Sequence, residues 1–380
     1  MRSLVTIVAT LACLLTGLPA SASTPGALIL IGGALSDDNS AVYGEIVARS
    51  GGAHARIGVI TTASSDPYGT AEDYIALLKQ YGAGQAVHVP VTSDAPQKAE
   101  DPQLAHMVTG LTGVFFGGGD QWRYVRTLIR PDGSDTAVLA AIRSAYADGA
   151  PVAGTSAGLH FLNGPDMVTG GDSYEALRDG AKVGYFDDPA VLGYHPAGGL
   201  GLFTAGLLDS HFSARGRQGR AVRLAADTDH DRVFGVDEDT ALVVTGSTMR
   251  VVGRQGVSVL DLRRATGSGR EVSGVRWSYL TSGDRYHAGT WTTRPAPGKL
   301  PLVPRAGNAE PVAGVFGEDT LRTLALDLAA ARRQLKARGR TEQSSPAFVV
   351  ELTKAPGFAA FGSDGRVASF AGLRLDIHAG

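Results

Sequence analysis

Short apolar runs alternate with amphipathic stretches through the first half of the chain. Residues 27–31, 57–61, 87–91, 113–116 and 151–153 are apolar, too short for helices, and closed by Gly-, Ser- or Thr-rich turns. Between them, 40–49, 71–81, 121–129 and 136–147 carry helical spacing. In the last stretch Val138, Ile142 and Ala145 fall on one face. Strand–helix alternation with nearly continuous apolar strands predicts an α/β fold, a mostly parallel sheet flanked by helices. In such sheets ligands sit at the carboxyl ends of the strands, where these turns fall.

The pattern changes after residue 233. Runs at 241–244, 248–252 and 257–262 are separated by Gly246-Ser247 and by Gly253-Arg254-Gln255-Gly256, as in a β-meander. The proline-rich stretch 294–311 reads as a linker or extended wrap. A helix is expected over 320–337, capped by Thr320. Leu321, Leu324, Leu328 and Leu335 would form its stripe, with Arg332, Arg333 and Lys336 in its last turns. Residues 348–352 and 367–377 are expected strands. The division is therefore a leader (1–22), an α/β domain (23–262) and a β-rich C-terminal extension (263–380) with no assigned role.

The leader has Arg2 in its basic region, an apolar stretch from Leu4 to Leu18, and Ala20-Ser21-Ala22 as cleavage site. A secreted or periplasmic protein beginning near Ser23 is expected, with no membrane span, since no later run approaches about 18 apolar residues. The sequence Thr10-Leu11-Ala12 before Cys13 is a poor lipid-attachment signal. Cys13 is the single cysteine of the chain. Cleavage removes it, and with it any disulfide, thiolate metal site or cysteine nucleophile. A net charge of −2 offers no basic excess for nucleic acid. No metal or cofactor is expected, and a homodimer is left open.

Candidate chemistry concentrates in four segments. Gly154-Thr155-Ser156-Ala157-Gly158 is a G-x-S-x-G elbow, whose small residues let a strand turn sharply into a helix and expose the serine hydroxyl. Asp209-Ser210-His211-Phe212, with Arg215, Arg217 and Arg220 behind it, offers His211 as general base. Asp237-Glu238-Asp239 supplies the carboxylate that would orient the base, with Glu238 and Asp237 both candidates. Phe116 to Gln121 is a strand, a triple-glycine turn and a helix start; the amides of Gly118, Gly119 and Ala157 are placed to serve as an oxyanion hole. Asp227, Asp229, Asp231 and Glu238 also fit part of a calcium-loop pattern, but Arg232 occupies its glycine position.

Taken together, Ile31-Gly32-Gly33 and residues 60–65, 116–121, 154–158, 209–220 and 235–240 resemble the cyanophycinase family of serine peptidases. That family is built on the class I glutamine amidotransferase fold, and the resemblance covers residues 27–262. It implies Ser156 as nucleophile, His211 as base and Glu238 as its orienting acid. It further implies substrate contacts for Gln121, Asp209, Arg215, Arg217 and Arg220. The implied substrate is a peptide polymer like cyanophycin, a polyaspartate bearing arginine on each side-chain carboxyl, cut to β-Asp-Arg dipeptides. Asp120, Asp172 and Glu175 are available for its guanidinium groups. An aspartyl dipeptidase and a non-catalytic binding protein are the alternatives. The chain departs from the family at Ser210, where glutamine is frequent, at Leu159, where alanine is usual, and in the extra stretch 170–199.

Overall fold

The computed structural model describes residues 24–267, 269–302, 307–363 and 366–380. The expected leader, with Cys13, lies outside the described residues. Five parallel strands carry the first half: β1 (Leu28–Ile31), β2 (Arg56–Ile60), β3 (Gln85–His88), β4 (Gly113–Phe116) and β5 (Val152–Thr155), in spatial order β1-β5-β4-β2-β3. Alternate residues of each strand serve opposite faces. Leu28, Leu30, Ile60, Val114 and Phe116 pack with Tyr124, Leu128, Val138 and Ile142 of the helices Gln121–Leu128 and Ala137–Ala147. Ile29, Ile31, Ile57, Val59 and Phe115 pack with Val42, Ile46, Ala71 and Leu78 of the helices Ser40–Arg49 and Pro67–Gln80. Strands covered on both faces explain the continuous apolar runs.

Pairing within this sheet fixes what surrounds the elbow. In β5 and β1, Thr155 lies opposite Ile31, and in β5 and β4, Gly154 lies opposite Phe116. The chain leaving β5 at Ser156 is therefore flanked by Gly32-Gly33 and by the 117–119 turn. On its other side β1 pairs antiparallel with Thr240–Thr245, which pairs with Thr248–Gly253.

A second sheet runs in the order Leu207–Asp209, Arg232–Val236, Gly256–Asp261, Val272–Thr281, Arg366–Ala379, Ala359–Ser363, Leu300–Pro301. The hairpin Lys336–Arg340 and Phe348–Thr353 joins it through Arg366–Ala379. The helix Thr320–Ala330 buries Leu321, Leu324 and Leu328 against it, with Phe348, Phe370 and Leu373. The extra stretch 170–199 contributes the helix Ser173–Asp179 and the strands Ala181–Val183 and Leu192–His195, which form a small sheet with Met167–Val168.

Three expectations are corrected. The meander does not stay in one sheet: Thr240–Thr245 and Thr248–Gly253 form a hairpin on β1, whereas Gly256–Asp261 crosses to the second sheet and pairs with Arg232–Val236. Gly253 makes the exit possible at φ +120°. The C-terminal helix ends at Ala330 instead of 337, because Lys336–Arg340 pairs as a strand with Phe348–Thr353. Asp319, not Thr320, precedes its first turn, in a left-handed conformation and without a side-chain cap.

Candidate active site

Ser156 has φ 53° and ψ −110°, the strained geometry of a strand turning directly into a helix, here Ala157–Phe161. The flanking glycines are demanded by packing. A Cβ on Gly154 would lie 2.4 Å from the Gly158 carbonyl oxygen, and one on Gly158 would lie 2.4 Å from that of Phe116. The Ser156 amide is spent on the Ile31 carbonyl at 3.0 Å. Ala157, at the first helical position, has no intrahelical acceptor. Among the described residues, the amides of Gly118 and Gly119 donate no hydrogen bond, although Gly117 and Asp120 on either side of them do. A Cβ on Gly118 would sit 3.5 Å from that of Ser156, so the glycine turn closes over the serine.

His211 follows the strand Leu207–Asp209 in a left-handed conformation, φ 46°. Its amide donates to the Gly32 carbonyl at 2.7 Å. Ser156 Oγ is 2.8 Å from His211 Nε2, and Glu238 Oε1 is 2.7 Å from His211 Nδ1. A carboxylate only accepts, so Nδ1 carries the ring proton of the neutral imidazole and Nε2 accepts from the serine hydroxyl. Burial pushes the His211 pKa below its ordinary value; Arg215 and Arg217 add to that, and Glu238 opposes it. A Cβ on Gly33 would lie 2.3 Å from Nε2, so the β1 turn is a wall of the imidazole site.

The three neighbouring acids are separated by function. Only Glu238 meets the imidazole. Asp237, 1 % exposed, accepts from the Ser213 amide at 2.9 Å and the Tyr279 hydroxyl at 2.8 Å. Asp239 holds Ser36, Asn39 and Arg254. Glu238 is thus unavailable to the calcium-loop pattern, and Asp227 is paired with Arg223.

The arginines divide likewise. Arg220 and Asp209 are both buried and grip each other through two hydrogen bonds, 2.8 and 2.6 Å, so neither side chain is free to meet a ligand directly. Arg217 donates to the Ser210 carbonyl at 2.8 Å and lies 3.4 Å from Asp209. Arg215 is exposed and, with Asp172, Glu175, Phe316 and Glu342, lines a cleft of about 560 Å³. Gln121 donates its side-chain amide to the carbonyls of Val168 and Thr169, at 3.1 and 3.2 Å. Asp120 caps the helix Gln121–Leu128 and receives Tyr185 from the extra stretch, whose ring stacks on Trp122 at 5.7 Å.

His160 gave no signal in the sequence. It lies on the elbow helix, is buried, and meets Ser210 Oγ at 2.9 Å. Burial holds its pKa down to about 3, so it is neutral over the working range. Its partner is 50 residues away, beyond the reach of local pattern.

A hydroxyl on an elbow, an imidazole with a free acceptor nitrogen and a carboxylate behind it, on a parallel α/β sheet, is a constellation of the serine hydrolases. The comparisons narrow this class. The chain belongs to peptidase family S51, whose model matches residues 28–252. It is 29 % identical over 290 residues to the cyanophycinase of Trichormus variabilis, covering 72 % of this chain and 89 % of that protein. It is also 29 % identical over 279 residues to that of Geminocystis herdmanii, covering 69 % and 94 %. With the cyanophycinase of Synechococcus elongatus it shares 31 % over 217 residues, or 57 % of this chain and 61 % of the other. A crystal structure of a peptidase from an acI-B1 actinobacterium shares the fold, with TM-score 0.50 and 19 % identity over 70 % of this chain and 98 % of that one. The protein is a serine-type peptidase related to cyanophycinases.

Proposed function

We propose that this protein is an exported cyanophycinase that cuts multi-L-arginyl-poly-L-aspartate to β-Asp-Arg dipeptides through an acyl-enzyme. The observation that carries this reading is the continuous hydrogen-bonded path Ser156–His211–Glu238, at 2.8 and 2.7 Å, beside unspent amides of the glycine turn. Ser156 Oγ attacks a backbone carbonyl carbon of the polymer while its proton passes to His211 Nε2. The amides of Ala157 and of Gly118 and Gly119 receive the oxyanion. Collapse breaks the C–N bond, and His211 returns the proton to the leaving amine. Water, activated by the same imidazole, then releases the acyl group. Glu238 fixes the tautomer and balances the transient imidazolium.

Charge in the neighbouring cleft supports the substrate. Arg215, Asp172 and Glu175 line that cleft; in this reading Arg215 grips a carboxylate, and Asp172 and Glu175 receive guanidinium groups. The leader at 1–22 supports export. The test is mass spectrometry of products after incubation with cyanophycin and with α- and β-aspartyl dipeptides. Cyanophycin should yield β-Asp-Arg, and Ser156→Ala should lose turnover by about 10⁴-fold or more with the fold intact. Cleavage of dipeptides alone would make the protein a dipeptidase. Wild-type turnover no greater than that of Ser156→Ala on every substrate, with no phosphonyl adduct at Ser156, would make it a binding protein.

A further inference from the structure

The carboxylate next to Glu238 in sequence is held in part by residues that lie beyond the matched family segment. Asp237 Oδ1 accepts from the amide of Ser213, two residues after His211. Its Oδ2 accepts from Tyr279 on the strand Val272–Thr281, and Arg322 Nη1, from the helix Thr320–Ala330, lies 3.4 Å from the same oxygen. Arg322 is itself fixed by Gln255 at 2.7 Å and by Asp319 at 2.8 Å. The Asp319 amide donates to the Ser213 carbonyl at 2.8 Å, so both backbone groups of Ser213 are tied, one to Asp237 and one to the C-terminal helix.

These ties matter because His211 is a non-glycine residue at φ 46°, a conformation that persists only when its surroundings over-determine it. On the N-terminal side the anchor is the His211 amide on Gly32. On the C-terminal side it is Phe212 on the Val236 carbonyl, at 3.3 Å, and then Ser213 on Asp237. The Asp237 backbone also packs closely on the β1 turn, where a Cβ on Gly32 would lie 2.0 Å from its carbonyl oxygen, and Glu238 follows at once. One buried carboxylate therefore ties the segment of the base to the segment of the acid.

We infer that Tyr279 and Arg322 are positioning residues of the peptidase reaction, acting through Asp237 to hold His211 and Glu238 in register with Ser156. This rests on the Ser–His–Glu reading proposed above. It gives residues 263–380 a direct part in the active site. A charged acceptor suits the task, because hydrogen bonds to a carboxylate are stronger than neutral ones and oppose drift of the strained segment. Loss of alignment by about 1 Å costs on the order of 10²-fold in turnover.

The test begins with a phosphonyl serine reagent on wild type and Ser156→Ala. A single adduct at Ser156, absent from the alanine variant, secures the underlying reading; an unreactive wild type would sink that reading itself. The adduct-formation rate, kcat and KM on cyanophycin, and Tm are then measured for Tyr279→Phe, Arg322→Met, Arg322→Lys and Asp237→Asn, well below each Tm. Tyr279→Phe removes one oxygen and keeps the ring on Phe370, so it remains folded. Tyr279→Phe and Arg322→Met should each lower the adduct rate and kcat about 10-fold, with KM within about twofold. Asp237→Asn should lower both by about 10²-fold, and Arg322→Lys should recover most of the loss. A lowered Tm with unchanged adduct rate and kcat would reduce these residues to structural supports and overturn the inference. So would a raised KM at constant kcat.

Discussion

Replacing Arg220 by methionine tests how the segment carrying the base is held. Arg220 is 3 % exposed and Asp209 2 %, and the guanidinium also donates to the Gly171 carbonyl at 2.7 Å. Burial alone would push the Asp209 carboxyl up, but Arg220 and Arg217 hold it at about 2, from an unperturbed 3.8. That depression corresponds to stability on the order of 2 kcal/mol, present above the unfolded pKa and lost as pH falls through about 2. Without Arg220, the remaining cation within ion-pair reach of Asp209 among the described residues is Arg217 at 3.4 Å, since His160 is neutral. Removing the principal partner of a buried charge costs about 3–5 kcal/mol, and the Gly171 carbonyl loses its donor as well. Urea unfolding of Arg220→Met should therefore show a loss of about 3–5 kcal/mol at about pH 7. In the variant the folded-state pKa of Asp209 rises above its unfolded value. The folded state then binds the extra proton, and the deficit should shrink toward about pH 5. Asp209→Asn in the same background should restore part of the loss. A deficit under about 1 kcal/mol, or one that widens on acidification, would refute the account of Asp209 as a buried charge neutralised by Arg220.

Two further outcomes follow from the geometry at His211. Its pKa lies below the ordinary value, so the acid limb of kcat/KM should fall below about pH 6.5; Arg215→Ala, removing one of the charges that depress it, should move the limb upward. A limb that stays in place or moves down would show that Arg215 does not act on the base. Gly33→Ala places a methyl 2.3 Å from Nε2 at φ +95°, so it should cut kcat by about 10²-fold or more and destabilise the fold; near-wild-type turnover would contradict the packing of that wall.

What could be read from the sequence was local. The runs that became β1, β2, β4 and β5 are almost wholly buried, so hydrophobicity alone marked them to within a residue or two; at the edge strand β3, with Gln85 exposed and Val87 and His88 half-buried, 87–91 stands for Gln85–His88. Ser156, His211 and Glu238 lie in short segments that were each weak alone and legible only in combination, and the structure brings all three together. What could not be read depends on distant partners. Lys336–Arg340 buries only Ala337 and Gly339, residues too small to give a strand its apolar alternation, so a helical stripe was extended across them. Nothing near Gly253 distinguishes a hairpin turn from a crossing between sheets, because the choice rests on pairing of Gly256–Asp261 with Arg232–Val236. That Asp209 and Arg220, expected at the substrate, are buried against each other could not be read for the same reason. A buried pair and an open binding pair have one sequence signature, and only the layers around them tell the two apart.

The serine and its base come from different sheets. Ser156 follows β5 near the centre of the first, while His211 and Glu238 follow Leu207–Asp209 and Arg232–Val236 at the margin of the second. That second sheet is completed by Arg366–Ala379, which pairs with Val272–Thr281, Phe348–Thr353 and Ala359–Ser363. The distance between hydroxyl and imidazole is consequently set at a seam between two sheets, and the elbow alone does not determine it.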